Sequence, residues 1–467
     1  MAPDPRDARI AELEGQVALL AKQLAAALER IAELEARLGT NSRNSSKPPS
    51  SDGPGVQRPP HQPTGRSRGG QPGHKGHERR LVSPERVTAV VECKKNRCDC
   101  GLPLPDDPHP RRIQVVEVPE LRPDVTEYRQ HEQVCACGRV HRGEVPDQVL
   151  LHGFGPRLAA YAALLTGRFR LSKREASQML GMLLGIDLSP ASVCALEREV
   201  AAALEQPDAQ ARELARLQPF VHADETGWRE EKKRAWLWVA VTAAVTVFRV
   251  ARSRGAEVAQ EILGRDFPGR LVSDRWSGYR WVDAQRRQLC WAHLIRDLAG
   301  MVERGGAGAA LATKMLAEVR RCFRWWHRIR DGTLPRPVFQ RRMKPVRARF
   351  EALLAEAHRT AEKKTAGMCG QILKLAPALW TFVDVEGVAP TNNVAERAVR
   401  HGVLWRKGSF GTDSARGSRF VERILTINAT MRQHGRCPLA YLVAAVRARR
   451  SGLEAPPLIP AASAAAA

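Results

Sequence analysis

Residues 213–402 predict an α/β catalytic domain with a helical insertion at 303–388, and three observations carry that prediction. The first is the order of apolar runs. LQPFVHAD, AWLWVAV and VTVFRV read as three strands, the first joined to the second by the charged turn REEKKR. SRGAEVAQEILG then reads as a helix, GRLVSD and RQLC as strands, and WAHLIRDLAGM as a helix. The second observation is where acids fall. Asp224 closes the first strand and Asp274 the fourth, each directly after an apolar run. The third is the switch to basic helical patterns such as QRRMKPVRARFEALLAEAHR inside the insertion. Three antiparallel-type strands, a helix, a strand, then another strand and helix match the ribonuclease H-like fold. In that fold the first and fourth strands lie side by side, which places Asp224 next to Asp274.

The segments before this domain are predicted in order. Residues 7–38 read as a coiled-coil helix. Ile10, Val17, Leu24, Ile31 and Leu38 fill heptad position a, and Leu13, Leu20, Ala27 and Leu34 fill position d. The spacing predicts a self-association helix and a homo-oligomer; the alternative is an amphipathic helix packed on its own chain. Residues 39–84, rich in Ser, Pro and Gly, read as a disordered linker. Its basic arm carries Arg66, Arg68, Lys75, Arg79 and Arg80 among glycines, suited to tracking phosphates or entering a minor groove.

Residues 85–150 hold five of the ten cysteines: Cys93, Cys98, Cys100, Cys135 and Cys137. Strand-like runs IQVVEVP and VTEYRQHEQV lie between them. A small β module in which Cys98, Cys100, Cys135 and Cys137 hold a structural Zn²⁺ follows from this pattern, with Cys93 as a rival ligand. The alternative is free thiols in a small β-domain. Residues 151–212 read as a helical DNA-binding or linker domain. Ser172 with Glu175 forms a capping box, and Ser189 caps the next helix with Pro190 at its first position. The spacing fits a helix-turn-helix, but Glu197 and Glu199 suit a plain helical hairpin equally well.

Beyond the insertion, a helix over about 391–402 carries Glu396 and is expected to be capped by Thr391 or Asn392. Residues 403–450 read as a basic loop and helix, and 451–467 as a disordered tail. Lys plus Arg total 74 against 50 acids, a formal charge of +24, which points to a polyanionic partner. No amphipathic helix pairs a basic face with a large aromatic one, so DNA is favoured over a membrane. The acidic N-terminus without an apolar core and the shortness of AWLWVAVTAAVTVF predict a cytoplasmic protein without a membrane span, associated with the nucleoid.

Asp224, Asp274 and Glu396 form a set of oxygen ligands for two divalent ions about 4 Å apart, which clamp the attacking and leaving oxygens of an in-line phosphoryl displacement. Mg²⁺, or Mn²⁺ in its place, suits carboxylates. One ion would activate water or a DNA 3′-hydroxyl and the other would stabilise the leaving oxygen. Taken singly, each acid could be a surface acid or a helix cap. Glu225 and Asp283 compete; Asp224 is preferred to Glu225 because alternation turns Glu225 to the other face. Cys290 and His293 in CWAH could bind metal, contact DNA or pack. Arg397, Arg400, Arg406 and Lys407 crowd the Glu396 helix as phosphate contacts. Trp276 and Tyr279 could stack on an unpaired base or pack in the core.

HADETGW (222–228), LVSDRWSGY (271–279), CWAHLIRDL (290–298), TNNVAERAVR (391–400) and RKGSFGTDSARG (406–417) together closely resemble transposases of the insertion sequence 66 family. NSSKPPSSDG (44–53), RGGQPGHKGH (68–77), the heptads and the cysteine cluster are similar to that family as well. The resemblance implies a DDE triad at Asp224, Asp274 and Glu396, binding to terminal inverted repeats and target DNA, and Mg²⁺-dependent excision and insertion. It also implies accessory proteins encoded by the same element. The first knuckle, Cys98-Asp99-Cys100-Gly101, departs from the family's usual C-x2-C-G. The alternative function is a non-catalytic DNA-binding regulator derived from such a transposase; the intact acidic set argues against it.

Overall fold

The computed structural model describes residues 5–42, 44, 52, 79–146 and 153–459. Helix α1 (Pro5–Leu38) is a single 34-residue helix, as the unbroken heptads require. Its apolar stripe is exposed: Ile10, Val17, Leu20, Leu24 and Ile31 are all more than half exposed. Most of the 39–84 linker, including Arg66, Arg68 and Lys75, lies outside the described residues.

Two compact units divide the chain, one of them residues 57–125. In that unit the IQVVEVP run forms no strand. In the other, VTEYRQHEQV forms one only at β1 (Glu132–Val134), which pairs antiparallel with β2 (Val140–Arg142). Of the strands expected in this module, only the β1–β2 hairpin forms among the described residues. Alternating apolar residues without a second buried layer have nothing to pack on, and no described residue from 79 to 146 is buried.

Four helices follow: α2 (Pro156–Gly167), α3 (Lys173–Leu184), α4 (Pro190–Ala203) and α5 (Glu205–Arg216). Both predicted caps form. Ser172 and Glu175 make the reciprocal capping box, and Ser189 accepts the Ser192 N–H. The acids that weakened a groove-reading role for α4 are spent inside the protein: Glu197 pairs with Lys173, and Glu199 with Arg450 at 2.6 Å. With Val193, Leu196 and Val200 buried, α4 is a core helix.

The sheet contains β3 (Phe220–Glu230), β4 (Lys233–Val241), β5 (Thr246–Ala251), β6 (Arg270–Ser273) and β7 (Arg287–Leu289), in the order β5-β4-β3-β6-β7. The first three form an antiparallel meander, and β6 and β7 add in parallel after α6 (Ala256–Leu263). The β3–β4 turn is two residues long, with Glu231 and Lys232 both left-handed, a type I′ turn that matches strand twist. Strand β3 does not end at Asp224 as expected. It runs on to Glu230, because its pairing with β4 continues past the point where β6 stops.

After α7 (Trp291–Arg304), the insertion is helical as predicted: α8 (Gly306–Arg330), α9 (Arg336–His358), α10 (Lys363–Leu373) and the short α11 (Thr381–Asp384). These helices have their own apolar core around Trp291, Phe350 and Trp380. Helix α12 (Asn393–Ser409) is longer than the predicted 391–402, because Gly402 is a packing residue and not a terminator. A Cβ there would overlap the Leu237 side chain, so glycine lets α12 lie close on β4. Helices α13 (Ala415–Gln433) and α14 (Pro438–Arg450) complete the larger core. The predicted disordered tail is a further correction over 451–459. Leu458 is buried, and Tyr441 donates to the Pro456 carbonyl at 2.9 Å. Among the described residues no helix is long and apolar enough to cross a membrane.

Candidate active site

The register of two parallel strands builds this site. Phe220, Val221 and His222 pair with Arg270, Leu271 and Val272. Asp224 and Asp274 each stand two residues beyond the last pair, His222 with Val272, with Asp274 just past the end of β6, and the charge of Asp274 is felt at Asp224. Neighbouring parallel strands at the same register point their side chains to the same face. The Glu225 side chain is buried and accepts bonds from Arg254 at 2.7 Å and from Tyr279 Oη at 2.7 Å, and burial together with the charge of Asp274 raises its carboxyl. Asp283, the other competitor, is exposed and caps a short turn through Gln285 N–H.

Each aspartate is fixed by a local main-chain bond. Asp224 Oδ1 accepts from Glu225 N–H at 2.9 Å, and Asp274 Oδ1 from Trp276 N–H at 2.9 Å. Below Asp274 lies Arg287, fully buried, whose guanidinium donates to Ser273 Oγ and to the Asp274 carbonyl. Burial pushes the Asp224 carboxyl well above the ordinary range, and repulsion from Glu225, Asp274 and Glu396 pushes it further. Burial also raises Asp274, against the pull of the Trp276 N–H, Arg254, Arg287 and Arg275. Glu396 is thus close enough for its charge to be felt at Asp224.

Glu396 comes from the first turn of α12, with a third of its side chain exposed. The start of that helix is fixed by Asn392, although not by capping. Asn392 stands at the cap position, but its side chain makes no capping bond. Instead its Nδ2 donates to the Ala223 carbonyl at 2.7 Å, its Oδ1 lies 3.2 Å from His222 Nδ1, and its main-chain N–H donates to Cys290 Sγ at 3.1 Å. One buried amide thereby ties α12 to β3 and to the start of α7. Trp291 N–H, donating to the Pro390 carbonyl at 2.9 Å, adds a second tie.

Cys290 and His293 flank Glu396. Cys290 Sγ lies 3.9 Å and His293 Nδ1 3.5 Å from Glu396 Oε1, and the three groups are close enough to share one ion. Burial pushes the Cys290 thiol up to about 11. Burial, with Arg296 nearby, takes His293 down to about 4.

The aromatic expectation divides. Tyr279 is fully buried and bonded to Glu225, so it is core and not a stacking surface, a correction to that reading. Trp276 stays half-buried, with the Arg254 guanidinium 4.6 Å over its ring. Among the basic residues, Arg397, Arg400 and Lys407 are exposed. Arg406 is half-buried and donates to the Gly227 carbonyl, so it fastens α12 to β3.

The cysteine turns are built alike. Cys98 N–H donates to Leu102 O and Gly101 N–H to Cys98 O, both at 2.9 Å; Cys135 N–H donates to Arg139 O and Gly138 N–H to Cys135 O, both at 2.8 Å. Both glycines are left-handed, with φ of +89° and +82°. Main-chain N–H groups of Cys100 and Cys137 hold the Cys98 and Cys135 thiols below their usual range.

His222, Arg254 and Arg287 had no assigned role in the sequence reading, and Asn392 had only that of a cap. His222 carried a signal, since it stands two residues before Asp224 and so on the same strand face. The buried amide of Asn392 carried none, because an Asn before a helix reads first as a cap.

The family model described as Transposase IS66 family matches residues 153–419, more than half of the chain. A second, described as a family of unknown function (DUF6444), matches residues 1–80. A relative from Sinorhizobium fredii, the uncharacterized protein y4qI, is 26% identical over 233 residues, which are 45% of this chain and 42% of that protein. The match spans less than half of that relative's length.

Proposed function

This chain belongs to the IS66 family of transposases, and from that premise we propose that it cuts the ends of a mobile element and joins them to target DNA through Asp224, Asp274 and Glu396. The observation that supports the proposal is the parallel β3–β6 pairing, which ends two residues before each aspartate, together with the repulsion that Asp274 and Glu396 exert on Asp224. On this reading the sheet is a ribonuclease H-like core, and the order β5-β4-β3-β6-β7 supports it.

The residues fit divalent metal. All three donors are carboxylates, and buried acids that repel one another favour a cation that neutralises them. When bound, two Mg²⁺ ions would polarise the phosphodiester and the attacking hydroxyl. The protein's part is positioning. Arg287 and the Trp276 N–H fix Asp274, the Glu225 N–H fixes Asp224, and Asn392 sets the angle at which α12 presents Glu396. Exposed Arg397, Arg400 and Lys407 on that helix would contact phosphates of the element's end. The like-built Cys98 and Cys135 turns each offer two thiols of the kind that hold Zn²⁺, with Cys93 as a rival ligand. Exposed heptads on α1 support self-association.

The test is cleavage of a duplex carrying one element end with Mg²⁺. Asp224→Asn and Glu396→Gln are expected to abolish cleavage while binding persists. Equal cutting by wild type and variants would refute the assigned triad.

A further inference from the structure

The C-terminal end of α12 carries a residue that the acid site does not explain. Phe410 adopts the left-handed conformation, φ +59°, and is 74% exposed. The left-handed region is unfavourable for a bulky side chain, and glycine or asparagine ordinarily caps a helix there. Packing does not account for the phenylalanine, because its ring is mostly in solvent. The backbone around it is clamped. Phe410 N–H donates to Arg406 O at 2.8 Å, Thr412 N–H to Arg229 O at 2.9 Å, and Glu231 N–H to Thr412 O at 2.9 Å. Trp228 Nε1 donates to Thr412 Oγ1 at 3.3 Å, and a Cβ on Gly411 would overlap the Arg229 carbonyl. The ring therefore projects from a strained backbone anchored to β3. Arg229, Lys407 and Arg416, next to this clamp or within a few residues of it, are exposed.

We propose that Phe410 is a base-stacking residue: its ring packs on a nucleobase of the DNA end while the neighbouring cations hold the phosphates. A fixed aromatic among cations suits nucleic acid, because every base offers a π-face and phosphates need the charge. Strain kept at an exposed position is expected where that side chain meets a ligand. The place follows from α12 itself. Fourteen residues separate Glu396 from Phe410, about 21 Å along a helix. That corresponds to at most about six base steps at 3.4 Å each, so the stacked base lies within about that range of the cleaved phosphate.

The inference rests on the DNA-cutting reading, so its test is a binding measurement made without divalent ions. The probe is a duplex of the element's terminal repeat with 2-aminopurine placed in turn at positions up to about the sixth from the cleavage point. Phe410→Asn accepts the left-handed conformation and removes the ring; Phe410→Trp keeps a stacking face. Phe410→Asn is expected to melt at or above the wild-type temperature. It should bind about ten- to a hundredfold more weakly and lose the position-specific fluorescence change. Phe410→Trp is expected to restore both. Wild-type affinity and fluorescence in Phe410→Asn would overturn the inference, as would a Phe410→Asn protein that binds poorly because it melts early. Binding that does not depend on Phe410, alongside cleavage that still requires Asp224, would leave the triad standing and remove this inference alone. Failure of the wild type to bind element ends would remove both.

Discussion

The acid site and the cysteine-bearing segment carry ligands of opposite kinds on supports of opposite kinds. Asp224 stands on β3 and Asp274 just past β6, strands whose Val221, Leu271 and Val272 are buried, and Asn392 and Arg287 bolt the surrounding elements together. Between residues 79 and 146 no described residue is buried, and the turns at Cys98 and Cys135 are closed by main-chain bonds. In the first region the apolar core supplies the rigidity and the acids strain against it. In the second there is no core, so on the proposed reading rigidity would come from a metal held by the thiolates. Loss of a ligand group should therefore have opposite consequences in the two places.

The largest effect is expected at the acids. Removing a carboxylate that holds metal costs several kcal/mol of transition-state stabilisation, roughly a thousandfold or more in cleavage rate. The sheet should survive it. Asp224 is raised by burial and by three neighbouring acids, so Asp224→Asn relieves repulsion. Without metal the variant is expected to be more stable than wild type by about 0.5–2 kcal/mol. Calorimetry in chelator and cleavage in Mg²⁺ should thus move in opposite directions. A variant that melts lower would show that the acids support the fold, and the contrast would be wrong.

Next comes the cysteine segment, where Cys135→Ser is the converse case. Metal analysis of wild type should find about one zinc per chain, and the variant should lose it. Limited proteolysis should then open the 79–146 region while the melting of the sheet domain holds. Zinc retained at the wild-type level, or absent from both proteins, would remove the metal from the account of this segment.

Asn392 sharpens the contrast inside the acid site, because it binds no substrate by this reading and acts through Glu396. Asn392→Ala leaves the Ala223 carbonyl and His222 without partners, a cost of about 1–3 kcal/mol. Cleavage should fall by about ten- to a hundredfold, as for other groups that orient metal ligands. The fall should be recovered in part by raised Mg²⁺, which a merely unfolded fraction would not show. No response to Mg²⁺ would reduce Asn392 to a structural role.

These contrasts also explain what could be read from residues alone. The order of strands, the insertion and both N-caps of the helical domain were legible, because each rests on local periodicity or on a side chain bonding within three residues. The neighbouring of the two apolar runs that lead to Asp224 and Asp274 was legible too, since β3 and β6 pair in parallel just before those acids. Three features were not. The length of β3 depends on which neighbour it pairs with at each point, a non-local fact. The length of α12 rests on another non-local fact, since Gly402 stands inside the helix where it closes on Leu237. Alternating residues in 113–131 looked like strands, yet period two specifies a strand only where one face is buried.

Helix α1 is exposed like the cysteine segment, but what it lacks is a protein surface and not an ion. Its stripe of Ile10, Leu13, Val17, Leu20 and Leu24 has more than two-fifths of each side chain in water. Burying such a stripe against a second copy of α1 would stabilise the pair by about 25 cal/mol for each Å² of apolar surface removed. A lysine at one a position removes part of that gain and adds like-charge repulsion across the seam. Leu24→Lys is therefore expected to shift the full chain towards monomer in sedimentation at micromolar concentration, with the melting of the sheet domain unchanged. This is the smallest of the effects on the folded chain, since no core residue is touched. If Leu24→Lys sediments as the wild type does, the stripe is not the seam. If the sheet domain melts lower, α1 packs on its own chain and belongs with the first region of the comparison.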